Sequence, residues 1–263
     1  MSDLPIPFTA AMVQSILREI ENPGTGKTQT RRGLVLRGYP KFTSFGRSDT
    51  RGYDWHLRDW EMRWHDLEHS RLLSLLPYKV GDRLYVREAW RVSERWDSTR
   101  PRDLKPRSMT VFFEAGGSIC NQEARDDWRP SSWPEQGFAP NWGGKLRPPM
   151  FMPKWASRIT LTVTDVRVER LRSITEEDAK AEGVEEQYCE GFGADFEGFW
   201  GFKDYGSSIG SEVPFNHARP SFKSLWDSIN GSRGLDWNSN PWVIAYTFKP
   251  ELGHIDCLGA SDG

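Results

Sequence analysis

The chain is organised around a short polar segment that reads Gly26-Lys27-Thr28-Gln29-Thr30-Arg31-Arg32. It follows the stretch 9–21, whose apolar residues recur at helical spacing behind a Thr that can cap the helix. It precedes the apolar run 33–36, which is expected to continue a strand. These flanks predict a corner between a helix and a strand, where a rigid scaffold holds an amine, hydroxyls and guanidinium groups together.

Two interpretations of this corner are open on the residues alone. Lys and Arg side chains are mostly exposed, so the segment is typical of a solvated basic turn. Clustered polar groups also mark functional sites, and Lys27 and Thr30 can converge if the chain bends at Gly24 and Gly26. A phosphate-binding loop is excluded, because Glu21 stands where that motif requires a Gly.

The composition excludes several classes of protein. The chain has 263 residues and a formal net charge of -2, so any nucleic-acid surface is a local patch. Its 3 Cys residues are widely spaced, which predicts reduced thiols rather than a disulfide framework or a zinc site. Neither a leader nor an apolar run of membrane length is recognisable, so we expect a cytoplasmic protein with no membrane partner. No metal or cofactor is predicted, and the oligomeric state is left open.

The order of strands and helices predicts an α+β fold built on a small mixed β-barrel with flanking helices. Strands are expected at 83–90 and 159–168. A shift of the apolar phase near Val166 indicates a bulge or bend of the kind that a closing barrel needs. Further elements are expected as a helix at 175–183, a helix at 221–229 and a strand at 242–248.

Three long loop insertions are predicted within one domain that spans 1–249, followed by a flexible tail at 250–263. They lie at about 38–76, 97–147 and 186–216. The first is expected to begin as loop and to continue as a helix over 59–76, which carries the inverted zinc-peptidase pattern H-x-x-E-H at 65–69. No third ligand is evident, so an exposed polar helix face is favoured over a metal site.

Several motifs, taken in order, resemble the ASCH domain of the PUA-like superfamily, and more closely the larger ASCH proteins of phages and prophages. The motifs are Gly-Lys-Thr-x-Thr-Arg-Arg at 26–32, Val-Gly-Asp-x-Leu-x-Val-Arg-Glu at 80–88 and Asp-Ala-x-x-Glu-Gly at 178–183. The resemblance covers residues 6–36, 78–90, 147–184 and 219–249. It implies a PUA-like barrel and a groove that binds RNA or a modified nucleoside.

The resemblance also implies a catalytic triad. Small bacterial ASCH proteins remove the acyl group from N4-acylcytidine with a proposed Lys, Thr and Glu, which correspond here to Lys27, Thr30 and Glu182. Chemically, the Thr30 hydroxyl can attack an amide if a desolvated Lys27 takes its proton, and Glu182 can orient Lys27 or protonate the leaving amine. The larger family members have a His at the position that Phe151 occupies here, so this chain departs from the family pattern at that position.

A function in binding alone needs fewer assumptions. Polar and basic side chains that can line one groove and meet phosphates are Lys27, Thr28, Arg31, Arg32, Arg87, Lys154 and Arg158. Trp90 and Trp155 can stack on an extruded base, although core packing is the slightly favoured role for each residue taken alone. The expected ligand is RNA or a modified nucleoside, with DNA as an open alternative.

Three functions follow as hypotheses. The first is a binder of nucleic acid or of a modified nucleoside at Lys27–Arg32, and the second is an amidohydrolase that deacylates N4-acylcytidine. The third is a phage structural or host-interaction protein whose aromatic insertions bind another protein. A groove that is lined by this triad and open to solvent would favour the second hypothesis, and an exposed apolar patch on the insertions, away from the groove, would favour the third.

Overall fold

The computed structural model describes residues 3–104, 110–119, 143–189, 198–206 and 215–258. Over these residues the chain forms an α+β structure, as predicted, and its strands lie in four sheets. None of the sheets formed by the described strands is closed into a barrel.

Strands and helices are mixed along the described parts of the chain. The strands are β1 (Asp3–Pro7), β2 (Gln29–Gly33), β3 (Phe42–Arg47), β4 (Trp55–Asp59), β5 (Trp64–Leu67), β6 (Arg83–Arg87), β7 (Trp90–Arg91), β8 (Val111–Phe113), β9 (Ser118–Ile119), β10 (Ile159–Arg170), β11 (Glu186–Cys189), β12 (Phe199–Phe202) and β13 (Trp242–Leu252). The α-helices are α1 (Ala10–Glu21), α2 (His69–Leu75), α3 (Glu176–Ala181) and α4 (Ala218–Asn230).

The chain divides into two compact units. The first unit contains Met1–Thr28, Asp82–Thr162 and Lys249–Gly263, and the second contains Gln29–Gly81 and Val163–Phe248. The long strands β10 and β13 therefore each contribute residues to both units. The single domain predicted for 1–249 stays a prediction.

In the first unit, β6 lies between two strands of its sheet. β1 runs parallel to it, with Ile6 opposite Val86, and β10 runs antiparallel to it, with Thr160 opposite Tyr85. The strands β7, β8 and β9 form a separate small sheet. Its inward side chains join a buried apolar cluster with Met152 and Ala156, so this sheet is held by packing as well as by its short ladders.

In the second unit, two helices cover one face of the β2–β13 ladder. β2 pairs antiparallel with β13. The buried cluster on this face includes Ala179 of α3, Phe222 and Trp226 of α4, and Val243 of β13. This packing fixes α3 against the strand that carries the polar corner, which is the relationship on which the candidate site depends.

Three predicted helices are present, each near its expected bounds. α1 has Val13 and Ile16 as its buried stripe, and Thr9 occupies the cap position without a side-chain cap bond. α3 follows Thr175, whose hydroxyl accepts a hydrogen bond from the Asp178 N–H at 3.1 Å. α4 begins at Ala218, earlier than expected, because the Glu176 carboxylate accepts hydrogen bonds from the N–H groups of Ala218 and Arg219 at this end.

The prediction for 38–76 as a loop followed by a helix is wrong. This segment forms an antiparallel meander of β3, β4 and β5, and only α2 is helical. Its buried face combines Trp55 and Leu57 with the carboxylate-bearing Asp59, so a charged residue interrupts the apolar alternation that would have indicated a strand. His65 lies on β5 and His69 begins α2, so the two do not share one helix face.

The remaining insertions differ in how far the structure describes them. In the third, β11 and β12 form a hairpin with Tyr188 opposite Trp200. In the second, 105–109 and 120–142 lie outside the described residues. At the end of the chain, β13 continues to Leu252 and Ile255 is fully buried, which differs from a tail that is flexible from 250 onwards.

Candidate functional site

The polar corner is fastened to helix α1 within the first unit. The Glu19 carboxylate accepts hydrogen bonds from the N–H groups of Gly24, at 2.9 Å, and Gly26, at 2.8 Å. The Lys27 N–H donates to the Ser15 carbonyl oxygen at 3.0 Å. Gly24 has φ +90, and a Cβ on Gly26 would lie 2.2 Å from the Ser15 oxygen, so both glycines are needed. The corner is therefore rigid, and the Lys27 side chain is fully buried rather than solvated.

Strand β2 directs its side chains to two faces. Thr30 and Arg32 lie opposite Tyr246 and Ile244 of β13, and residues paired in this way project from the same side of a ladder. We call these four residues the Thr30 face. Arg31, between them, projects to the other side, towards α3 and α4.

Arg31 is surrounded by acceptors on its side of the ladder. Its Nη1 donates to Gln29 Oε1 at 2.5 Å and to Glu182 Oε1 at 3.1 Å. Its Nη2 donates to Glu169 Oε1 at 2.6 Å and to Asp178 Oδ2 at 2.7 Å. Burial alone would lower the pKa of Arg31, but the three carboxylates, led by Glu182, raise it above its ordinary value. A buried guanidinium with these partners is an anchor that holds α3 against β2.

Glu182 is positioned by the end of α3. Its N–H donates to the Asp178 carbonyl oxygen at 2.9 Å, and the next residue, Gly183, takes φ +83 and turns the chain away. The Glu182 side chain is buried at 3% exposure, although exposure is the rule for Glu. The predicted helix cap and the predicted helix end therefore together place this carboxylate.

The Glu182 carboxylate interacts with β2, which is the last strand in the order of its sheet. It bonds Arg31 on one face of the strand. Burial lowers the pKa of Arg32, which projects from the other face, and Tyr78 and Glu182 oppose this lowering only in part.

Two tyrosines contribute to the Thr30 side of the ladder. The rings of Tyr246 and Tyr78 meet edge to face, with centroids 5.2 Å apart. Tyr246 and Thr30 are each 1% exposed, and burial raises the pKa of the Tyr246 phenol. Sequence reasoning missed both tyrosines, although alternation along the predicted strand 242–248 places Tyr246 on the same face as Ile244.

Several predicted cations are paired within the protein. Arg158 binds Glu88 with two hydrogen bonds, Nε to Oε1 at 2.8 Å and Nη2 to Oε2 at 2.9 Å, and both side chains are buried. Lys154 donates to Asp3 at 2.8 Å and to Asp256 at 2.6 Å. These carboxylates neutralise positive charges that would be needed to bind a phosphate backbone.

The other predicted binding residues lie in the first unit. Trp90 is fully buried in the apolar cluster, so its ring presents no face to a base in this structure, and half-buried Trp155 packs against the same cluster. Arg87 is half-buried and donates to the Met150 carbonyl oxygen at 3.1 Å, and Thr28 is also half-buried.

The predicted triad is divided between the units. Lys27 belongs to the first, and Thr30 and Glu182 belong to the second. Within the second unit, the fold brings Glu182 against the residue next to Thr30. The role of the three residues as a triad stays a prediction.

Comparison with family models, with curated proteins and with solved structures finds no match for this chain. The likeness to ASCH domains therefore rests on the motifs in the sequence. Within the part of the chain that the structure describes, none of the helices combines the length and apolarity needed to span a bilayer.

Proposed function

We propose that this chain is an ASCH-type, PUA-like protein that binds a modified nucleoside through the segment Lys27–Arg32. The observation that carries this proposal is the 3.1 Å contact between Arg31 Nη1 and Glu182 Oε1, across 151 residues of sequence. It joins two of the motifs on which the resemblance rests. A polar segment that is buried and cross-linked in this way is more typical of a site than of a solvated turn.

A nucleoside is favoured over a long stretch of RNA or DNA. Binding to a phosphate backbone depends on cations that are free to replace counterions. Arg31, Arg158 and Lys154 instead meet carboxylates of the protein at 3.1 Å or less. The expected ligand is therefore recognised mainly through its base and its acyl group.

Calorimetric titration tests the binding proposal. Wild type should bind N4-acetylcytidine, and Thr30→Val should bind it more weakly because the variant keeps the side-chain shape and loses the hydroxyl. A short single-stranded RNA should bind weakly, with a shallow dependence on salt. Absence of nucleoside binding, or tight RNA binding that weakens steeply with salt, would contradict the proposal.

Deacylation of N4-acylcytidine is the second candidate, and the contact that holds Glu182 against Arg31, the residue next to Thr30, favours it. An amide hydrolase needs a nucleophile in a dry site with a base and a carboxyl group nearby. In this mechanism Thr30 Oγ1 attacks the acyl carbon while its proton passes to a base, which is the role that the resemblance assigns to Lys27. The cytosine amine leaves with a proton, and water then hydrolyses the Thr30 ester to release the carboxylic acid.

A matched pair of variants tests the role of Glu182. Glu182→Gln and Asp178→Asn each remove one carboxylate that binds Arg31, so they weaken the same anchor. Only Glu182→Gln should abolish release of cytidine from N4-acetylcytidine. Equal activity losses in the two variants would assign Glu182 a structural role alone.

An interaction protein remains a third candidate because of the β4–β5 hairpin. Trp60, Met62 and Trp64 are exposed at 63%, 53% and 57%, which is unusual for large apolar side chains so close together. Replacing both Trp residues with Ser should leave nucleoside binding intact, since neither residue belongs to the polar segment 26–32. A co-purifying protein that is lost with this double variant would support the third candidate.

A further inference from the structure

The hydroxyl of Tyr246 is a buried donor on the Thr30 face. Tyr246 stands directly opposite Thr30 in the β2–β13 ladder, and each side chain is 1% exposed. Side chains of directly opposed residues leave the sheet side by side. A ligand atom that reaches the Thr30 hydroxyl therefore also approaches the tyrosine ring.

The phenolic proton of Tyr246 has no acceptor among the described residues. Burial raises the pKa of the Tyr246 phenol and the Tyr78 backbone lowers it in part, but no hydrogen bond to the Tyr246 oxygen is present among the described residues. A bond from the Tyr78 N–H would in any case use the oxygen as an acceptor and leave the proton unused. Buried hydroxyls are normally paired and an unpaired one is destabilising, so its retention calls for a partner.

We propose that the Tyr246 hydroxyl donates a hydrogen bond to the acyl carbonyl oxygen of a bound N4-acyl nucleoside. This inference rests on the proposed function, and it adds a residue that contacts the reacting group. The ligand oxygen supplies the acceptor that the described residues do not provide. Arg32, which lies two residues from Thr30 on the same face, adds positive charge near the same oxygen.

The donor has a defined place in the deacylation step. When Thr30 Oγ1 forms its bond to the acyl carbon, the electron pair of the C=O bond moves to the oxygen and creates an oxyanion. The Tyr246 O–H then bonds a full negative charge, which is stronger than its bond to the neutral carbonyl. Collapse of the oxyanion restores the C=O bond and expels the protonated amine, while Tyr246 keeps its own proton.

The test compares Tyr246→Phe with Tyr205→Phe. The Tyr205 hydroxyl accepts a hydrogen bond from the Glu185 N–H at 2.9 Å, and its ring packs against the helical core on the opposite side of the ladder. Tyr246→Phe should melt at or above the wild-type temperature, because it removes an unpaired buried group. It should lose about 10²- to 10³-fold in kcat for N4-acetylcytidine, as expected for one oxyanion donor. Tyr205→Phe should melt lower and keep wild-type activity.

The outcomes separate this inference from the function on which it rests. Full activity in Tyr246→Phe overturns the inference and leaves the deacylase standing. A Tyr246→Phe variant that loses activity and stability together also overturns it, because the hydroxyl is then structural. If wild type binds N4-acetylcytidine without turnover, the deacylase falls, and the inference holds only if Tyr246→Phe binds the ligand more weakly. Wild type that neither binds nor hydrolyses overturns both.

Discussion

Arg31 Nη1 lies 3.1 Å from Glu182 Oε1, and this contact ties the end of α3 to strand β2. It brings together a residue of the polar corner and a residue that sequence spacing could not connect to it. The Arg31 guanidinium is fully buried and bonded to three carboxylates, so its contribution to stability can be measured.

Replacement of Arg31 by Met should be strongly destabilising. The variant leaves Glu169, Asp178 and Glu182 without their shared cation, and breaking a buried ionic pair in this way costs about 3–5 kcal/mol. Arg167→Met is the control, since Arg167 also binds Asp178 but is 40% exposed, and it should cost at most about 1 kcal/mol. Urea denaturation of both variants measures the difference, and similar losses would show that Arg31 is not the anchor.

The two glycines of the corner should respond differently to substitution. Gly26→Ala places a Cβ 2.2 Å from the Ser15 oxygen and 2.4 Å from the Glu19 nitrogen, so we expect a loss of about 3 kcal/mol or more. Gly24→Ala meets open space and is disfavoured only by its positive φ, which costs about 1–2 kcal/mol. Thermal melting ranks the two variants. A larger loss of stability in Gly24→Ala than in Gly26→Ala would contradict the close packing of the corner against α1.

Stability should fall at acid pH partly through Asp178. Burial alone would raise the pKa of this carboxyl, but Arg167 and Arg31 outweigh it and hold the pKa below its ordinary 3.8. A carboxyl group whose pKa is lower in the folded state than in the unfolded state stabilises the fold at pH values above its ordinary pKa. This contribution is lost as the pH falls through the folded-state pKa. Asp178→Asn should therefore be less stable than wild type near neutral pH, and the two curves of unfolding free energy against pH should converge in acid. Parallel curves for Asp178→Asn and wild type would exclude this role of Asp178. The control is Asp49→Asn, because Asp49 lies at an exposed position.

Removal of the α3 cap should weaken nucleoside binding indirectly, through the helix that carries Glu182. Thr175→Ala loses the hydrogen bond from the Asp178 N–H and should cost about 1 kcal/mol. Since α3 carries Glu182, the same variant should bind N4-acetylcytidine more weakly, whereas Thr175→Ser should behave as wild type. Unchanged affinity in the Ala variant would show that the position of Glu182 does not depend on the cap.

Local signals predicted much of the fold. The apolar stripe of α1, the cap and terminal Gly of α3, and the alternation in β10 each depend on residues close together in sequence, and all three elements are present. The meander of β3, β4 and β5 was missed because Asp59 is buried, where it bonds Arg63 and His65. A buried acid that is satisfied by tertiary partners cannot be distinguished from an exposed one by pattern.

The candidate site could be predicted only as a set of residue types. Exposure was the default expectation for Lys27 and Arg31, and both are buried. The partners that make burial of Arg31 possible come from β10 and α3, more than a hundred residues away. Tyr246 gave no signal of its own, because a Tyr in a strand is ordinary and its role depends on the residue opposite.

The most direct measurement is release of cytidine from N4-acetylcytidine by wild type, Thr30→Ser and Thr30→Val, followed by chromatography. The proposed chemistry predicts turnover by wild type, reduced but measurable turnover by Thr30→Ser, which keeps a hydroxyl, and none by Thr30→Val, which keeps only the shape. Turnover by Thr30→Val at the wild-type rate would contradict the assignment of Thr30 as nucleophile. Absence of both turnover and nucleoside binding in wild type would contradict the account as a whole.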